Sequence, residues 1–80
     1  MRLDKYLKVS RLIKRRSVAK DAADGGRISI NGKTAKAASE VKLGDLLEIG
    51  FGDKAVKVEI VEIRETVRAE DASKMYRSLG

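Results

Sequence analysis

Residues 11–20, RLIKRRSVAK, carry five basic side chains and no acid. They extend a series that starts with Arg2, Lys5 and Lys8, so the basic positions of the first quarter are Arg2, Lys5, Lys8, Arg11, Lys14, Arg15, Arg16 and Lys20. Only Asp4 opposes them. Residues 1–20 hold eight basic residues and one acid, a net of +7, while residues 21–80 hold ten basic and eleven acidic residues, a net of −1. Charge segregated this way suits a polyanion-binding face on a balanced scaffold. Arginine is the better phosphate ligand, because its planar fork can hold two oxygens at once. The Ser17 hydroxyl and, further on, Arg27, Asn31 and Lys33 could continue such a surface. Leu12, Ile13, Val18 and Ala19 are threaded through the basic run. A loose arm that merely coats a polyanion does not need them, and they point to a folded face.

Other chemistries find little support. The chain has no Cys and no His, which removes disulfides, thiolate metal sites, the usual zinc ligand and the usual general base near neutral pH. There is no Gly-rich phosphate loop and no nucleophile–base pair. Most acids alternate with Lys or Arg, as on solvated strands and helices. No catalytic residue, metal site or cofactor is expected, and Ser17 reads as a helix cap rather than a nucleophile. Aromatic residues are 4% of the chain, so base stacking has few candidates. Tyr6 is the only aromatic inside the basic segment, and core packing competes with any contact role there. No apolar run approaches the ~18 residues of a membrane span, and MRLDKYLK lacks the apolar stretch of a secretory signal. The plain expectation is a soluble, monomeric cytoplasmic protein.

The elements that must hold these residues follow from periodicity. Eighty residues make one domain at most. A helix over about Leu3 to Val9 puts Leu3 and Leu7 on one face, with Asp4 serving its N-terminus. Were it to run one turn longer, Arg11 and Arg15 would join Lys8. A second helix is expected to start at Ser17 as N-cap, with Val18, Ala19, Ala22 and Ala23 as its apolar stripe and Gly25-Gly26 as its stop. From Arg27 the period changes to two. RISI and KTA flank an Asn31-Gly32 turn. LLEIGF and AVKVEIVEI form a second hairpin about Gly52-Asp53. Val61 and Ile63 fall on the opposite parity from Val56, Val58 and Ile60, which suggests a bulge or a strand covered on both faces. Ala72, Met75, Tyr76 and Leu79 stand at helical spacing and predict a C-terminal helix from Ala69 to Leu79. The fold class is α+β: two N-terminal helices on a small, mainly antiparallel, hairpin-rich sheet, with a C-terminal helix.

RLDKYL at 2–7, KRRSVAK at 14–20 and GRISINGK at 26–33 together resemble the S4-type RNA-binding domain, or alpha-L motif. Each is weak alone; jointly they are specific. The resemblance implies a domain over residues 1–64 and a helical extension over 65–80. RLDKYLKVSRLIKRRSVAK and ASKMY further resemble the RqcP family of ribosome-associated quality control, relatives of the small ribosome-associated heat-shock proteins. That likeness implies an RNA-binding adaptor on obstructed large ribosomal subunits. Its implied partners are large-subunit rRNA, peptidyl-tRNA and RqcH, whose alanine tailing of stalled chains it would support. It implies RNA contacts by Arg2, Lys5, Arg15, Arg16, Ser17, Lys20, Arg27, Asn31 and Lys33, with Lys14 fitting by charge. Asp4 is expected to order the first helix or pair with an Arg rather than touch RNA. Two alternatives stand beside this reading: a targeting module acting with an rRNA-modifying enzyme, and a protein–protein adaptor whose basic face is incidental.

Overall fold

The computed structural model describes all 80 residues. Helices α1 (Leu3–Val9) and α2 (Arg16–Asp24) are followed by strands β1 (Ile28–Ile30), β2 (Lys33–Thr34), β3 (Leu46–Phe51) and β4 (Lys54–Ile60). A 3-10 helix (Ala69–Met75) then leads into β5 (Tyr76–Ser78). The five strands form one antiparallel sheet in the order β2-β1-β3-β4-β5. The α+β class and the pair of N-terminal helices are as the periodicity predicts.

One core joins the two layers. Leu3, Tyr6 and Leu7 of α1 and Ala19 and Ala23 of α2 are fully buried with Ile49, Val58, Ile60 and Met75. The spacing 3, 6, 7 is a single helical face, and 19, 23 is one turn of another. Small alanines let α2 lie close to its neighbours. The spacing places Val18 on the same stripe, but it is half exposed. The buried stripe of α2 is therefore narrower than the sequence suggested.

Three turns show why particular residues were needed. α2 ends in paired hydrogen bonds from Gly26 N–H to the Ala23 carbonyl and from Arg27 N–H to the Ala22 carbonyl, both 3.0 Å. Gly26 takes φ +81°, the left-handed conformation that this helix stop requires. Asn31 and Gly32 have φ of +53° and +83°, as a two-residue hairpin between Ile30 and Lys33 demands. α1 stops differently. Arg11, not a glycine, occupies the left-handed region at φ +62°, and its N–H bonds the Lys8 carbonyl at 3.1 Å. The helix therefore does not run on to align Lys8, Arg11 and Arg15.

Three further expectations need correction. α2 starts at Arg16 with Arg15 at the cap position, and no side chain caps it; Ser17 lies in the first turn. The parity change at Val61 is neither a bulge nor a two-sided strand. β4 simply ends at Ile60, and the N–H groups of Val61 and Glu62 both turn to the Met75 carbonyl. The C-terminal helix is confined to Ala69–Met75 and is of the 3-10 type. Tyr76–Ser78 is instead a strand on the edge of β4. Ala72 and Met75 are buried as a helical pair would be, but Leu79 is half exposed.

Candidate nucleic-acid interface

The first two N–H groups of α1 are held by backbone carbonyls. Leu3 N–H donates to the Ser39 carbonyl at 2.7 Å and Asp4 N–H to the Ala37 carbonyl at 3.1 Å. Two of the helix's orphan donors are thereby satisfied. The segment supplying those carbonyls is itself anchored: Ala35, Ala37 and Val41 are buried, and Ala37 N–H donates to the Asp24 carboxylate at 3.0 Å. Asp24 sits at the end of α2, so this one strap ties both helices together.

Asp4 is the centre of the arrangement. Its side chain is 3% exposed, whereas those of Arg2 and Arg16 are 51% and 49% exposed. Arg2 Nη2 reaches Oδ2 at 3.2 Å, Arg16 Nη2 reaches Oδ1 at 3.3 Å, and Lys5 N–H donates to Oδ1 at 2.8 Å. Burial by itself would raise the carboxyl pKa. The Arg16 hydrogen bond and charge, the Lys5 N–H and the Arg2 charge outweigh it and hold the pKa below its ordinary 3.8. A buried anion thus draws to one point the guanidinium groups of Arg2, just before α1, and Arg16, the first residue of α2. Each guanidinium uses one nitrogen on Asp4 and keeps other N–H groups toward solvent. Asp4 orders the first helix and pairs with arginine, as its isolation in a basic segment suggested.

Arg16 also opens α2. The N–H groups of Arg16, Ser17 and Val18 have no partner within the chain, which leaves the positive end of the helix facing outward beside the Arg pair. Lys14, Arg15, Ser17 and Lys20 are all exposed around it. Arg27 is exposed immediately after the end of α2, and Lys33 is exposed on the edge strand β2.

Other predicted residues are placed elsewhere. Lys5 pairs with Glu65, in the segment between β4 and the 3-10 helix. The hydrogen bond and charge of Lys5 lower the Glu65 pKa. Lys8 and Arg11 line a small cleft against Glu65, Thr66 and Val67. Asn31 is exposed, but its side chain is already used: the amide donates to Asp45 at 3.1 Å and its oxygen accepts the Leu46 N–H at 2.9 Å. These bonds lock the β1–β2 turn to β3. Tyr6 belongs to the core. Its hydroxyl donates to the Met75 carbonyl at 2.8 Å, and burial, then Tyr76 and Glu62, raise its pKa. Glu65 had no signal in the sequence, because its pairing with Lys5 spans 60 residues.

The S4 domain family model matches residues 1–47, which end within β3. A RQC P-site tRNA stabilizing factor of Bacillus subtilis is 60% identical, over 99% of this chain and 92% of that protein. The chain belongs to the S4-domain family of RQC P-site tRNA stabilizing factors. A relative of the same name from Streptococcus pneumoniae is 54% identical over the whole of this chain and 91% of its own length. Among solved structures, the trimeric Heat Shock Protein 15 of Vibrio cholerae superposes with a TM-score of 0.90 at 32% identity, covering 99% of this chain and 81% of that one. The match to the first two relatives therefore extends through β5 and takes in every residue of the basic face.

Proposed function

We propose that this chain is an RNA-binding adaptor of ribosome-associated quality control, a binding protein rather than an enzyme. In this reading it acts in the cytoplasm as a monomer on obstructed large ribosomal subunits that carry peptidyl-tRNA. Arg2, Arg15, Arg16, Ser17, Lys20, Arg27 and Lys33 contact rRNA and tRNA, and Lys8, Arg11 and Lys14 add charge. RqcH-driven alanine tailing of the stalled chain is the process it supports. The names of the relatives support the tRNA and the ribosome; the tailing partner rests on family likeness.

The observation that carries the reading is the shared buried carboxylate. Asp4 holds Arg2 and Arg16 at one point while half of each side chain stays exposed. Two pre-oriented forks beside an open helix N-terminus suit the backbone of a folded RNA, which is recognised largely through phosphate and shape. The test is co-sedimentation with large subunits on sucrose gradients, for the wild type and for the Arg2→Gln/Arg16→Gln double variant. The wild type is expected with the large subunit and the variant at the top of the gradient. With about five phosphates neutralised, affinity should fall a few hundredfold between 50 and 200 mM salt. Equal sedimentation of both proteins, or a flat salt response, would exclude the phosphate-binding model.

A further inference from the structure

Beside the basic face lies a feature that phosphate binding does not use. Phe51, the only Phe in the chain, is 48% exposed at the β3–β4 turn, and Val18 is 50% exposed on α2. Between them runs a groove of about 410 Å³ lined by Ile13, Val18, Ala22 and Phe51 together with Asp21 and Arg27. A second hollow of about 440 Å³ shares Arg27, Gly50 and Gly52 with it, so the two are one slot. Its floor is backbone. Gly50 N–H donates to the Arg27 carbonyl at 2.8 Å, and a Cβ on Gly50 would stand 3.4 Å from that oxygen. Gly52, at φ +62°, opens the tight turn after Phe51, whose partner across the hairpin is Lys54, and the Phe51 ring is still half exposed.

We propose that this slot takes one unpaired nucleobase of a bound RNA, its face against the Phe51 ring and its phosphate on the Arg27 guanidinium. The inference rests on the RNA-binding reading above. Three observations select a base over an apolar peptide side chain. The slot adjoins the basic residues, because Arg27 lines it and Asp21 stands one turn from Ser17 on the same side of α2. Val18 and Ala22 lie on the other side of α2 from Arg16 and Lys20, so a strand reaches the slot by way of Ser17 and Arg27. The charges are also divided as a nucleotide divides its own. Arg27 is the only cation lining the slot and suits the phosphate, while Asp21 is an acceptor for the N–H groups of a base edge. A glycine floor and an aromatic wall suit a flat ring, which stacks regardless of sequence.

The protein contains no Trp, so Phe51→Trp creates a single reporter at the wall of the slot. The probes are a seven-nucleotide oligoadenylate and the same backbone carrying abasic riboses. Oligoadenylate is expected to quench the Trp emission, and the abasic strand, which still meets the basic face, to leave it unchanged. Phe51→Ser, with its fold checked by circular dichroism, should weaken oligoadenylate binding about tenfold and abasic binding not at all. Arg27→Gln should weaken both strands. Quenching by neither strand or by both alike overturns the proposal, as does a Phe51→Ser variant that binds oligoadenylate normally but loses the large subunit, which would mark a protein contact. The RNA-binding reading fails separately, if neither strand binds and the Arg2→Gln/Arg16→Gln variant still co-sediments.

Discussion

Two carboxylates meet basic residues of the N-terminal segment, and they do opposite things. Asp4 is buried and bridges Arg2 and Arg16; Glu65 is exposed and meets Lys5 alone. At the first site, low solvent access makes the pairing strong enough to set side-chain direction. At the second, water and salt screen the pair, and it contributes little to stability. The first site organises the basic face, and the second occupies one of its cations. Burial of the anion, more than the count of ion pairs, decides which basic residues are presented in a fixed geometry.

Replacing Asp4 is the most direct way to break this contrast. Asp4→Asn keeps the shape but removes the charge that gathers the two arginines. It should lower stability by about 1–2 kcal/mol, discounted because both guanidinium groups are half exposed. Binding of large subunits should fall with it even where the protein remains folded, as urea titration and gradient sedimentation together would report. Arg16→Glu is a poorer probe, since it sets a carboxylate beside buried Asp4 and mixes misfolding with lost contact.

Acid titration sharpens the same comparison. The folded pKa of Asp4 lies below its ordinary 3.8. Its stabilisation is fully present above that value and is lost as pH falls through the lowered one. Asp4→Asn should therefore flatten the acid limb of the stability curve below about pH 4, and an unchanged limb would show that the clamp is weak.

A smaller effect is expected at Tyr6→Phe, which removes the hydroxyl joining α1 to Met75. The Met75 carbonyl keeps the N–H groups of Val61 and Glu62, so no buried acceptor is stranded and the loss should be about 1 kcal/mol by thermal unfolding. The smallest is Glu65→Gln. It should leave the unfolding midpoint unchanged and free Lys5, steepening the salt dependence of RNA binding by at most about one phosphate equivalent. A marked loss of stability there would erase the distinction between the two carboxylates.

Local signals were legible wherever one residue type decides a conformation. Leu3 and Leu7 mark α1, Asn31-Gly32 and Gly52 mark the hairpins, and Gly25-Gly26 marks the end of α2. Tertiary choices were not. The spacing of Ala72 and Met75 fits a 3-10 helix as well as an α-helix, and only pairing with β4 makes Tyr76–Ser78 a strand. Arg11 gives no hint of its left-handed backbone, and Ser17 looked like a cap because serine usually is one. At the interface, the basic residues were visible as a charge run. Their division was not, because the partners of Lys5 and Asn31 lie 60 and 14 positions away.

The bond from Tyr6 to Met75 joins residues 69 positions apart. The docking of α1 is therefore completed only when the 3-10 helix that carries Met75 has packed beside it. Closing so long a loop is entropically late. The Tyr6 hydroxyl thus ties the seating of the helix that begins the basic face to the far end of the fold.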